Sequence, residues 1–121
     1  MAHYAVVNIL KYENNKLYFS DDDSTWDEIG PHTITGYPKQ NELMIWFAGP
    51  GVDKITGIDF DSDDDFVNPP RSKFGKRLWF VKVKPNATVG DEPKYTIRFK
   101  DEAGNEVEID PKVKVKPAGG G

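Results

Sequence analysis

Tyr95-Thr96-Ile97-Arg98-Phe99-Lys100-Asp101-Glu102-Ala103-Gly104-Asn105 is the stretch that decides the fold class. Tyr95, Ile97 and Phe99 point to one face of an extended chain, and Thr96, Arg98 and Lys100 point to the other. That alternation is the period of a half-buried β-strand. Asp101 to Asn105 then reads as a short hairpin loop with Gly104 at the left-handed position, so the chain reverses and pairs with itself.

The same pattern recurs in both directions from this hairpin. Val113 and Val115 alternate with Lys112, Lys114 and Lys116, and Trp79, Val81 and Val83 oppose Leu78, Phe80, Lys82 and Lys84. Further strands are predicted at residues 4–11, 16–20, 32–35, 42–48, 54–60 and 105–109. Asn14-Asn15 provides a tight hairpin turn, since asparagine tolerates positive φ. The nine prolines and 11 glycines fall almost wholly between the apolar runs. Gly57 alone interrupts a strand pattern, which predicts a bulge or a close backbone approach. Turns every eight to 12 residues or so predict an all-β antiparallel sandwich of about eight or nine strands. It should form one domain over residues 1–117, followed by a flexible glycine-rich tail at 118–121.

Composition narrows the functional classes. The chain of 121 residues has no cysteine, which removes disulfides, thiolate chemistry and cysteine-based zinc or copper sites. No apolar run approaches the length of a membrane span, and no membrane partner is expected. The N-terminal residues lack a basic region and a small-residue cleavage site, so a cytoplasmic location is expected. Residues 1–70 hold four Lys/Arg against 13 Asp/Glu, whereas residues 71–121 hold 12 against seven. With a net charge of −4, the domain as a whole should repel phosphates, and no nucleic-acid partner is expected.

The order of these segments carries a family resemblance. An N-terminal hairpin, Val6–Leu10 with Leu17–Phe19, precedes a strand with a tryptophan, Leu43-Met44-Ile45-Trp46-Phe47. A loop-rich middle follows, then the Tyr95–Phe99 strand and a closing strand. This resembles the cupredoxin-like and immunoglobulin-like Greek-key sandwiches. The closing segment Asp110-Pro111-Lys112-Val113-Lys114-Val115 is also similar to the DP-EP family of small bacterial proteins. The resemblance implies a scaffold without the blue-copper site, because that site needs a cysteine thiolate. Between Phe99 and Asp110 this chain has Lys100-Asp101-Glu102-Ala103-Gly104-Asn105 instead.

Candidate site residues fall in the loops. Asp59, Asp61 and Asp63 match the first three ligands of an EF-hand loop, and Asp65 extends the cluster. The glycine and glutamate positions of that motif hold Asp64 and Pro70. The cluster reads either as solvated loops or as a Ca²⁺ site, to which the acidic run Asp21–Glu28 could contribute. Trp26 and Tyr37 lie in polar loops and are the candidate ligand-binding aromatics, able to cap a sheet end or stack on a sugar ring. His3 and His32 are the sole imidazoles, and a general base needs both a partner and a pocket. No nucleophile elbow or phosphate-binding glycine loop is present. The basic stretch Arg71, Lys73, Lys76 and Arg77 is expected to pair with the domain's own acidic loops. These features predict a non-enzymatic interaction or structural module without an obligate cofactor. The alternative is a Ca²⁺-assisted, carbohydrate-type binding module. A protein partner or a second copy could dock on an edge strand, for which the lysine-rich closing strand is the candidate.

Overall fold

The computed structural model describes residues 5–22, 24–62 and 64–117. The alternation of the opening stretch is realised in full. Tyr95, Ile97 and Phe99 are buried, while Arg98 on the opposite face pairs with Asp59 and Glu108. The described residues form nine strands and no helix. There is accordingly no helix long and apolar enough to cross a membrane among them.

The strands are β1 (Ala5–Glu13), β2 (Lys16–Ser20), β3 (Asp27–Glu28), β4 (Leu43–Ala48), β5 (Val52–Phe60), β6 (Arg71–Lys73), β7 (Leu78–Lys82), β8 (Tyr95–Asp101) and β9 (Glu106–Ile109). They build two sheets, a six-stranded one in the order β3-β2-β1-β4-β7-β6 and a three-stranded one in the order β5-β8-β9. The tight turn at Asn14-Asn15 has φ of 54° and 63°, as the hairpin between β1 and β2 requires. Gly57 sits at a shift in the β5–β8 register, so the bulge expected there is present.

The sheets are not purely antiparallel. β1 runs parallel to β4, from Ala5 opposite Leu43 to Leu10 opposite Ala48. Parallel neighbours need a crossover, because a tight turn can only reverse the chain. Residues 29–42 supply it by leaving the first sheet after β3 and running beside the closing segment, which in turn is bonded to the start of β8. Thr35 N–H donates to Lys112 O, and the N–H groups of Lys112, Lys114 and Lys116 donate to Thr33, Gly36 and Pro38. The chain then returns to the first sheet as β4. The predicted strand at residues 32–35 is therefore an irregular wall held by these bonds, whereas the short strands β3 and β6 were not expected.

The closing segment is also bonded on its other side. Tyr95 N–H donates to Pro111 O, while Val113 and Val115 donate to Pro93 and Asp91. It lies between two chain segments and is not an edge strand, which corrects the expectation of a docking edge there. Its lysines are engaged as well. Lys112 and Lys114 pair with Glu92, and Lys116 lies 5.1 Å from the centroid of the Tyr37 ring. The basic stretch likewise departs from expectation. Among the described residues Arg71, Lys73, Lys76 and Arg77 make no carboxylate pair. Arg77 instead donates to the backbone carbonyls of Ala48 and Asp53, and Lys73 lies over the Phe80 ring.

The core lies between the sheets, with Leu10, Met44 and Trp46 from the first facing Ile55, Ile97 and Phe99 from the second. Trp79 is half-buried and donates through Nε1 to Ile55 O at 2.8 Å, joining β7 to β5. The chain passes from β4 to β5 through Gly49-Pro50-Gly51, pressed against the end of β1. Gly51 has φ +82°, and a Cβ there would lie 2.0 Å from Tyr12 O. Gly104 has φ +86° with open space around it. Gly104→Ala should thus cost only the left-handed backbone penalty of about 1–2 kcal/mol. Gly51→Ala adds a clash with backbone and should cost clearly more. Urea unfolding of the two variants measures the difference.

A candidate ligand cavity beside β1

Alternation along β1 turns Val6, Asn8, Leu10 and Tyr12 toward the second sheet. Leu10 is fully buried, and Val6 and Tyr12 pack against the core. Asn8 occupies the same face at 1% exposure, and neither its Nδ2 nor its Oδ1 has a hydrogen-bond partner. An unsatisfied buried amide costs on the order of 1–3 kcal/mol. The neighbour of Asn8 in register on β4 is Trp46.

Asn8 opens onto a cavity of about 850 Å³ between β1, the end of β2 and residues 33–37. Among the described residues five polar or charged side chains are buried, and four of them line this cavity: Asn8, Ser20, Thr35 and Glu42. Three are engaged. Ser20 Oγ donates to Asp22 Oδ1 at 2.9 Å, and Glu42 Oε1 accepts from Lys39 N–H at 2.6 Å. Thr35 Oγ1 lies 2.5 Å from the Tyr95 hydroxyl, which also accepts from Trp46 Nε1 at 3.2 Å. One set of donors satisfies the whole chain: Trp46 to Tyr95, Tyr95 to Thr35, and Thr35 to Lys112 O. Burial pushes the Tyr95 phenol up to about 12, so it remains a neutral donor. Asn8 is left with a donor and an acceptor to offer.

The rim is acidic. Asp21 and Asp27 line the cavity beside Glu42, against the single cation Lys39 among its described lining residues. The neighbouring Asp22 carboxyl is held well below the usual carboxylate range, chiefly by the Ser24 backbone N–H and then by that of Thr25.

Of the two aromatics expected to bind ligand, the structure brings one to this site. Tyr37 lines the cavity at 53% exposure. Trp26 lies under Lys11, whose Nζ is 4.7 Å from the ring centroid, and is not among the lining residues. The acidic cluster is dispersed. Asp59 pairs with Arg98, and Asp65 is buried and accepts from Thr88 N–H at 3.0 Å. Asp61 lines a second cleft of about 350 Å³ with His32, Lys94 and Asp110. Asp63 and His3 lie outside the described residues. The two acidic runs border different cavities, and no group of three or more His, Cys, Asp or Glu side chains able to hold a metal is gathered among the described residues. His32 is exposed and makes no ion pair there. Sequence reasoning missed Asn8. The available signal was an amide at an inward position between Val6 and Leu10.

No family model matches the chain. Over 77 residues, 64% of its length, it is 32% identical to the chromatin structure-remodeling complex subunit RSC1 of Saccharomyces cerevisiae. The match spans 8% of that protein, so the chain is far shorter than the relative it resembles.

Two measurements follow from this chemistry. Asn8→Leu removes the unpartnered amide at similar volume and should raise stability by about 1–3 kcal/mol in urea unfolding. Asp91 is raised above 3.8 by its hydrogen bond to Asp65, then by burial and by the charges of Asp65 and Asp64. Its folded pKa exceeds its unfolded one, so its contribution is full below the unfolded value and fades as pH rises through the folded one. Asp91→Asn should therefore raise the melting temperature at pH 7, with the gain shrinking as the pH falls through the raised pKa towards 3.8.

Proposed function

We propose that the chain is a non-enzymatic binding module that receives its ligand in the cavity between β1 and residues 33–37. We infer a scaffold of cupredoxin-like or immunoglobulin-like sandwich plan. The observation that carries the reading is Asn8, a fully buried amide with both polar atoms unpartnered, in a cavity that collects four of the five buried polar side chains among the described residues. Such a cavity, apolar in its walls with a few convergent polar groups, is the usual form of a ligand site.

The non-enzymatic part of the proposal is supported by the groups at hand. Thr35 and Tyr95 hydrogen-bond one another, and the exposed His32 belongs to the other cleft. A Ca²⁺-assisted version would require Asp59 to leave Arg98 and Asp65 to leave Thr88.

Titration of the isotope-labelled chain with a panel of small neutral amides, monosaccharides and Ca²⁺ tests this by NMR. Saturable shifts are expected from at least one amide at Val6–Asn8, Thr35 and Gly36, and they should be lost in Asn8→Leu. If this panel and the peptides described below all leave those resonances unmoved, the reading is wrong. A Ca²⁺ response confined to Asp59–Asp65 would favour the acidic loops instead.

A further inference from the structure

We propose that this cavity takes an extended, lysine- or arginine-bearing peptide segment, added as a strand along the free edge of Ala5–Asn8. The proposal rests on the cavity being the ligand site and names the ligand's class. β2 ends at Ser20, opposite Ile9, whereas β4 accompanies β1 all the way from Ala5. Among the described residues, the first part of β1 therefore has a strand partner on one side only. All four of Ala5, Val6, Val7 and Asn8 line the cavity. A cavity lying on one face of a strand would meet alternate residues, so this one runs along the strand's edge. Unpaired N–H and C=O groups on such an edge form a template for an added strand.

The opposite wall has the same character. Residues 33–37 bond to the closing segment through Thr33 O, Thr35 N–H and Gly36 O. Successive peptide groups of an extended chain point to opposite sides, so the Ile34 groups turn away from that partner. Asn8 supplies the specificity. Its carboxamide presents a donor and an acceptor side by side, the complement of a peptide group. A sugar or an aliphatic ligand would need no strand edge, and an anion would meet Asp21, Asp27 and Glu42 against Lys39 alone. Cationic side chains alternating along the peptide match that rim.

The test uses the full chain and two acetylated, amidated hexapeptides, one alternating lysine with valine and the other alternating glutamate with valine. The lysine peptide should shift the Val7 backbone amide and the Asn8 side-chain amide saturably. The glutamate peptide should bind about tenfold more weakly or worse, the factor set by roughly one charge-assisted contact. Added salt should weaken the lysine complex. Asn8→Leu and the surface variant Asp27→Asn should each weaken it too, the second without touching the core. Equal binding of both peptides, or unchanged binding by Asn8→Leu, overturns the proposal. So does a concentration-dependent shift of the same resonances without peptide, which would assign the edge to a second copy of the chain. If small amides bind and neither peptide does, the peptide class is wrong and the binding-module reading stands. If nothing binds, both fall.

Discussion

The Tyr95 hydroxyl is the point on which the structure turns. It accepts from Trp46 of the six-stranded sheet, belongs to β8 of the other, and meets Thr35 of the crossover between them. Three parts of the chain far apart in sequence are thereby fixed at one buried position. Polar groups in a dry interior are costly when unpaired and geometrically demanding when paired, so this chain of bonds specifies one arrangement of the layers. Around it Phe60 stacks on Tyr95 with centroids 4.9 Å apart, and Phe66 packs on Phe60 at 4.0 Å.

That junction also forms one side of the cavity. Thr35 lines it, and Asn8 stands in register with Trp46. A site placed on strands and braced by satisfied hydrogen bonds can hold a polar group at a defined position, whereas one on free loops cannot. Within one pocket, Thr35 has its hydroxyl engaged and Asn8 has its amide unpartnered. The short β2 and the crossover along the closing segment keep the pocket open, because no described strand continues beside Ala5–Asn8.

Much of the fold was legible because its signals are local. Alternation in Tyr95–Phe99, the Asn14-Asn15 turn, the bulge at Gly57 and the turn at Gly104 depend on neighbouring residues alone. The parallel pairing of β1 with β4 was not legible. Both strands carry the same alternation whichever way they run, and direction is set by residues 29–42 crossing to the closing segment. The lysines of the closing segment misled for a related reason. Alternation shows which side chains face outward, but a strand's edge is free or paired according to which segments lie beside it. The carboxylates of Asp59–Asp65 are neighbours in one dimension, whereas in the fold Asp59 pairs with Arg98 and Asp65 accepts from Thr88.

Sequence alone therefore determined an all-β domain with strands at most of the expected places, no thiolate chemistry and an acidic balance concentrated in its first part. It even contained the anomaly that matters, an asparagine between Val6 and Leu10 on an inward face. Only tertiary structure decided that this amide would be buried without a partner, beside a part of β1 that has a strand partner on one side only among the described residues, with Tyr37, Asp21 and Asp27 lining the same cavity. The reason is physical. Burial and satisfaction are properties of the space between chain segments, and that space exists only once the crossover has brought residues 33–37 over β1.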